Sequence, residues 1–248
     1  MRINLSINPY RKEHIMTEAK QNEIRENIAR IREDMADYPN AALMAVIKTR
    51  TVEEINFAIR ECGITLVGEN RVQELLAHYE GMDRSAKLHF IGNLQKNKVK
   101  YIIDKVDMIE SLDSEGLAAE IEKRAAKIGR TIPVLIEINI GREEAKSGLM
   151  PEDLSALCEM LKGCPHIEPK GLMTIAPKCE DKNEYHRYFQ EMNTLKTDVF
   201  SKHFPEEKDP ILSMGMSGNF KEALENGSHL IRVGEGIFGK RNVYTQNT

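Results

Sequence analysis

One repeat constrains the fold of this chain more than any other feature of the sequence: a short apolar run followed by a segment with helical spacing. Eight such apolar runs lie between residues 42 and 233, the first seven of them followed by a helical segment, with no linker rich in Gly, Ser or Pro to divide the chain. A further helix is predicted over residues 17–37, before the first apolar run. The predicted strands cover residues 42–47, 64–67, 88–91, 106–109, 133–140, 170–174, 211–214 and 229–233, and the helices between them cover 52–62, 72–79, 98–102, 117–128, 151–161, 184–200 and 219–225.

Strands that are apolar along their whole length are typical of a parallel sheet that is covered on both faces. Eight strand–helix units in 248 residues predict an α/β fold, a single-domain (β/α)8 TIM barrel. The helix at 17–37 is expected to pack on the barrel, in the outer ring. Residues 1–16 are predicted to form a poorly structured extension, residues 17–241 the barrel and residues 242–248 a tail. The alternative is an open, doubly wound sheet.

The composition excludes several classes of partner. With a formal net charge of -4, the chain has no long-range attraction for nucleic acid or anionic lipid, and no apolar stretch is long enough to span a membrane. The first residues lack the apolar core of a signal peptide, and Met16 is an alternative start, so we expect a cytoplasmic protein. Four cysteines without metal-ligand spacing are expected to be reduced structural thiols. The modest charge and the lack of an apolar surface stripe favour a monomer.

Barrel enzymes place their sites at the carboxyl ends of the strands, and phosphate often binds after strands seven and eight. Both of those strands run into glycine-rich loops, at 215–218 and 234–236. Glycines let backbone N–H groups approach an anion, and Ser217 is expected at a helix N-terminus, where an anion is favoured. The alternative for Ser217 is a simple N-cap. Residues 234–239 also fit G-x-G-x-x-G, but the strand and acidic residue of a dinucleotide site are not found after them.

Lys48 follows the first strand, where it would leave a buried strand at the same end of the barrel. Such a lysine is ordinarily a solvated strand end, but partial burial lowers the pKa of the amine and makes it nucleophilic toward carbonyls. Together with a phosphate site, it suggests a phosphorylated aldehyde, of which pyridoxal 5′-phosphate (PLP) is the common example. Arg232 is placed to reach the pyridine ring. Lys146 is a rival lysine, but it lies in a charged loop and is expected to be solvated.

Seven stretches together resemble the YggS/PROSC family of pyridoxal phosphate homeostasis proteins. They are AVIKTRTVEEI (45–55), VGENRVQEL (67–75), LHFIGNLQKNK (88–98), IEINIGREEAKSGL (136–149), KGLMTIAP (170–177), LSMGMSGNF (212–220) and IRVGEGIFGKR (231–241).

The resemblance implies a barrel like the N-terminal domain of alanine racemase, with PLP bound to Lys48 as a Schiff base. It also implies that Arg232 faces the pyridine nitrogen. Residue 235 is often Thr or Ser in the family, so at Glu235 only the backbone N–H is expected to help hold the phosphate, with the carboxylate turned away. The remaining residues that the resemblance assigns are Ser217 and Gly234 at the phosphate, and Asn70, Ser213 and Met214 along the ring.

The function implied is that of a PLP carrier, which holds and delivers the cofactor in vitamin B6 and amino-acid homeostasis, without established catalysis. Apo PLP-dependent enzymes are the expected recipients. The alternative is an amino-acid racemase of the alanine racemase type. Two features favour the carrier. A racemase of that type takes its second base from an additional C-terminal domain, which this sequence is expected to lack, and an arginine at the pyridine nitrogen weakens the ring as an electron sink. A phosphosugar aldolase using Lys48 is a third interpretation.

Overall fold

A computed structural model describes residues 16–240 of the chain. Within that range, eight parallel strands form a closed barrel in which each strand pairs with the next and β8 pairs with β1. The predicted (β/α)8 barrel is therefore confirmed, and the open sheet is wrong. The predicted extension and tail lie outside the described residues, except for Met16. The strands are Ala42–Val46 (β1), Leu66–Glu69 (β2), Lys87–Phe90 (β3), Met108–Leu112 (β4), Ile132–Ile138 (β5), Ile167–Thr174 (β6), Ile211–Ser213 (β7) and Leu230–Val233 (β8).

Helices on the outside of the barrel cover the strands. A short helix that the sequence did not predict, α9, follows β8 directly. Short 3-10 turns precede α4 and α6. The helices are Glu18–Asp34 (α1), Val52–Arg60 (α2), Val72–Tyr79 (α3), Val99–Ile102 (α4), Glu115–Ile128 (α5), Leu154–Leu161 (α6), Lys182–His203 (α7), Phe220–Glu225 (α8) and Glu235–Phe238 (α9).

Side chains alternate between two apolar regions, as the two-residue period of a strand requires. Outward-facing side chains join those of the helices in one large core, which includes Ile24 and Ile28 of α1. Inside the barrel, Met44 of β1 and Met173 of β6 belong to two smaller clusters. Helix α1 packs against α2 and α9, as the prediction of an outer-ring helix required.

Local caps fix the ends of the helices. Thr17 caps α1 by accepting a hydrogen bond from the N–H of Lys20. Thr51 and Glu54 form a reciprocal capping box at the start of α2. That box begins directly after residues 48–50, so the start of α2 is defined at the point where β1 leaves the barrel. Among residues 16–240, no helix combines the length and apolarity that crossing a membrane requires.

Candidate functional site

The first and last strands of the barrel bring the lysine and a glycine loop together. Ala45 of β1 pairs with Val233 of β8, so the segments that follow them leave the barrel side by side. A Cβ atom added at Gly234 would lie 3.3 Å from the Cβ of Val46 and 3.4 Å from its carbonyl oxygen. Lys48 therefore lies two residues beyond a point where the glycine loop contacts β1.

Residues 48–50, the lysine turn, are held in an unusual backbone conformation. Lys48 is half-buried, and Thr49 has φ of 62°, in the left-handed region that costs a residue with a side chain about 1–2 kcal/mol. The N–H of Thr49 donates to Oε2 of Glu74 at 2.6 Å, and Glu74 is itself buried at the start of α3. A charge-assisted hydrogen bond of this length offsets the backbone strain and orients the lysine that precedes Thr49.

Two loops at the mouth of the barrel, the end at which the carboxyl ends of the strands lie, form a cradle, which we define as Ser217 with residues 234–236. The N–H of Gly236 donates to Oγ of Ser217 at 3.1 Å, so the loops after β7 and β8 are joined. A Cβ atom at residue 236 would lie 2.7 Å from Val233 Cγ1, closer than real Cβ atoms approach, and 3.4 Å from Ser217 Oγ. The backbone approach at this point therefore requires glycine. The cradle lies at an exposed edge of the mouth, with Ser217 and Glu235 exposed.

A chain of buried polar groups crosses the inside of the barrel. Arg232 donates from Nη1 to Oγ of Ser213 and from Nη2 to the carbonyl oxygen of Thr174, both at 2.7 Å. Ser213 donates to Oε2 of Glu110 at 2.6 Å, and Oε1 of Glu110 lies 2.6 Å from Nδ1 of His89. These buried polar side chains therefore link β3, β4, β7 and β8, and Arg232 makes an additional bond to β6.

The charge of Arg232 is balanced by two acids within the barrel. Burial lowers the pKa of the Arg232 guanidinium, while the charges of Glu110 and Glu137 act in the opposite direction. Burial also raises the pKa of Glu137, against the hydrogen bond that its carboxylate accepts from Ser147 Oγ at 2.9 Å. Fixed by its partners and facing two acids, Arg232 is a cation of defined position at the base of the mouth.

The mouth also contains a polar atom without an assigned partner. Oδ1 of Asn70, just after β2, is buried and accepts no hydrogen bond from any residue in the described range 16–240. The backbone of Asn70 lies so close to β3 that a Cβ atom at Gly92 would lie 2.0 Å from the Asn70 carbonyl oxygen. Asn70 is thus held by its backbone, and its side-chain oxygen remains available for a ligand.

The structure distinguishes among the remaining predicted site residues. Ser213 is fully buried, and its hydroxyl is occupied by Arg232 and Glu110. Met214 is also fully buried and belongs to the large core, and that Ser213 and Met214 line a ring stays a prediction. Glu235 is exposed. That its carboxylate turns away from a bound anion stays a prediction.

One prediction about the glycine loops needs correction. Ser217 does not begin a helix, because the N-cap of α8 is Asn219, whose Oδ1 accepts the N–H of Met216 at 2.8 Å. The hydroxyl of Ser217 serves the cradle instead. A Cβ atom at Gly234 would press on Val46 of β1, and the role of Gly234 at the phosphate stays a prediction.

Lys146, the rival lysine, is exposed and paired with Glu143 in the loop after β5. The sequence interpretation missed Glu74 and Glu110. Glu110 did carry a signal, since a carboxylate within an apolar strand must find partners when buried. Glu74 carried none, because its partner is a backbone N–H 25 residues away.

Comparisons of the sequence and of the structure with known proteins find similar proteins. Residues 20–242 match the sequence profile of the alanine racemase N-terminal domain. A pyridoxal phosphate homeostasis protein of Aquifex aeolicus is 43% identical over 202 residues, covering 81% of this chain and 87% of that protein. PipY of Synechococcus elongatus, solved with PLP bound, has a TM-score of 0.78 at 31% identity and covers 87% of this chain and 100% of its own. An alanine racemase of Corynebacterium glutamicum shares the fold, with a TM-score of 0.70 at 17% identity over 91% of this chain and 63% of its own.

Proposed function

The chain belongs to the pyridoxal phosphate homeostasis proteins, a family with the alanine racemase N-terminal domain, and we propose that it binds PLP at the barrel mouth. It holds the cofactor for delivery, in intracellular vitamin B6 and amino-acid homeostasis. The observation that carries the proposal is the pairing of β1 with β8, which brings the lysine turn beside the cradle.

The residues present fit both ends of such a ligand. We assign the Ser217 hydroxyl and the backbone at Gly234 and Glu235 to the phosphate. The N–H of Gly236 donates to Ser217 Oγ and so positions that hydroxyl. Asn70 offers a buried oxygen that lacks a partner among residues 16–240. The half-buried amine of Lys48 would hold the aldehyde carbon, and Arg232 would face the ring nitrogen.

We propose holding rather than turnover because of the charge at the ring nitrogen. When bound, PLP supplies an aldehyde that condenses with amines and a ring that accepts electrons once its nitrogen is protonated. Arg232 is fixed by Ser213 and Thr174, and a guanidinium gives up no proton at neutral pH. It would therefore keep the ring nitrogen unprotonated and limit the proton transfers at the α-carbon that racemisation needs.

The test is borohydride reduction of the PLP-loaded protein, followed by peptide mapping. We expect the pyridoxyl group on the peptide that contains Lys48, and loss of labelling in Lys48→Ala. Lys146→Ala is the matched control and is expected to label like the wild type. A pyridoxyl group found only on another lysine would contradict the assignment.

A transfer assay separates carrier from racemase. The loaded protein is expected to restore activity to an apo PLP-dependent enzyme, while deuterium exchange at the α-carbon of L- and D-alanine stays slow. Exchange with racemisation at about 1 s⁻¹ or faster, within the range of ordinary enzyme turnover, would instead favour the racemase.

The proposal extends to a monomer in the cytoplasm. Support for the compartment comes from the cysteines, all four of which lie within residues 16–240 and are free, three of them buried. Burial raises the pKa of Cys158 to about 12, which suits an inert structural thiol rather than a reactive one.

A further inference from the structure

The last turn of α9 is held by side chains from distant parts of the chain. Lys20 Nζ donates to the carbonyl oxygen of Phe238 at 2.5 Å, and Asn27 Nδ2 donates to that of Ile237 at 3.0 Å, both from α1. Arg50 donates to the carbonyl oxygens of Gly239 at 2.7 Å and of Phe238 at 3.3 Å. Carbonyls at a helix C-terminus lack partners within the helix and carry partial negative charge, so cationic donors are favoured there.

Arg50 differs from Lys20 and Asn27 because its backbone lies in the lysine turn and not in α1. It lies in the lysine turn, two residues after Lys48, and its guanidinium is buried with its carbon 5.4 Å from the centre of the Phe238 ring. Its planar group bonds two successive carbonyls, a geometry that a lysine ammonium does not reproduce. The lysine turn and the last turn of α9 are therefore joined by one buried cation.

The other end of α9 is the cradle. This helix has four residues, too few to be stable without outside contacts, so the anchors at its last turn set where its first N–H groups lie. The lysine turn is also fixed by the bond from Thr49 to Glu74. Arg50 thus stands between the two elements that would hold the two ends of PLP.

We propose that Arg50 is a positioning residue, which sets the separation between the Lys48 amine and the phosphate cradle. The inference rests on the proposed function. The aldehyde and the phosphate of PLP are attached to one rigid ring. The Lys48 amine and the cradle can therefore bind the same molecule only when the distance between them matches the distance between those two groups. Without Arg50 each anchor survives, but the two no longer act on one molecule at the same time.

The test compares PLP with pyridoxal, which lacks the phosphate and uses only the lysine anchor. In Arg50→Lys we expect PLP affinity to fall by about tenfold or more while pyridoxal affinity changes by less than about threefold. Asn27→Ala is the matched control, because it removes one bond to the same end of α9 without touching the lysine turn. It is expected to keep the preference for PLP. The carboxylate of Glu74 bonds Thr49 of the lysine turn and Arg71 at the start of α3, with no hydrogen bond to α9 or the cradle among residues 16–240, so Glu74→Gln is expected to weaken both ligands alike.

The outcomes separate this inference from the function it rests on. If the wild type binds PLP no better than pyridoxal, the phosphate cradle itself is wrong. If the wild type prefers PLP and Arg50→Lys keeps that preference, or Asn27→Ala lowers it equally, Arg50 has only a structural role. Thermal unfolding checks that each variant folds. Should Arg50→Lys fail to fold, Phe238→Leu removes the ring that packs on the guanidinium, and it must lower the preference for PLP if the proposal is right.

Discussion

Ser213 provides a direct measure of how much the polar chain inside the barrel contributes to stability. Its hydroxyl donates to Glu110 and accepts from Arg232, and all three residues are buried. Ser213→Ala removes one oxygen and leaves both charged partners in place. The change is small in volume, so its effect reports hydrogen bonding rather than packing.

The magnitude follows from what the substitution leaves behind. A buried polar group that loses its partner costs about 1–3 kcal/mol, so the two losses, at Arg232 and Glu110, come to about 2–6 kcal/mol. Movement of the two charges toward each other offsets part of this loss. We expect the free energy of unfolding to fall by about 3 kcal/mol, which lowers Tm by roughly 6–12 °C in a domain of this size.

Strand β4 supplies a matched control. Ser111 follows Glu110 in β4 and is equally buried, but its hydroxyl has no hydrogen-bond partner among residues 16–240. Ser111→Ala removes an unsatisfied hydroxyl and is expected to leave stability unchanged or raise it by up to about 1–3 kcal/mol. Both variants are unfolded in guanidinium and followed by circular dichroism, with equal m-values required. An equal loss in the two variants, or a Ser213→Ala loss below about 1 kcal/mol, would refute the reasoning.

Two further predictions concern Glu137 and Ser217. Because burial raises the pKa of Glu137 above its ordinary 4.5, the stability linked to its protonated form is complete at low pH and is lost as pH rises through the folded-state pKa. The glutamine of Glu137→Gln cannot ionise, so we expect this variant to be more stable than the wild type at neutral pH and equally stable below pH 4.5. Urea unfolding at both pH values measures the difference. A gain in stability confined to low pH would contradict the prediction. Ser217→Ala loses a hydrogen bond to the phosphate, which costs about 1.5–3 kcal/mol, so PLP affinity measured by equilibrium dialysis should fall roughly tenfold or more. Unchanged affinity would place the phosphate elsewhere.

The sequence predicted the number and order of the strands better than their ends. The second strand was predicted at 64–67 and runs over Leu66–Glu69, and the fourth was predicted at 106–109 and runs over Met108–Leu112. In both cases the apolar run stops before the strand does. Glu69 and Glu110 continue these strands because partners from elsewhere, His78 and His89, meet their carboxylates once the chain is folded. Apolar periodicity does not report such partners.

The same limit applies to the site. Strand ends and glycine loops predicted where the mouth lies, because those are local signals. Arg50 was not predicted, since its partners Phe238 and Gly239 follow it by 188 and 189 residues and nothing near it signals them. The direction in which a Cβ atom at Gly234 points depends on how β8 pairs with β1, which only the folded barrel defines.

The pairing of β1 with β8 also bears on when a chain becomes able to hold its ligand. A nascent chain that has emerged from the ribosome only as far as β7 already has Lys48, but not residues 234–236, so under the proposed assignment it has one anchor and no cradle. The chain would therefore become able to bind PLP through both anchors only when β8 pairs with β1 and closes the barrel. Since ligand bound to the native form alone stabilises that form by mass action, the cofactor would favour completed barrels over partly assembled ones.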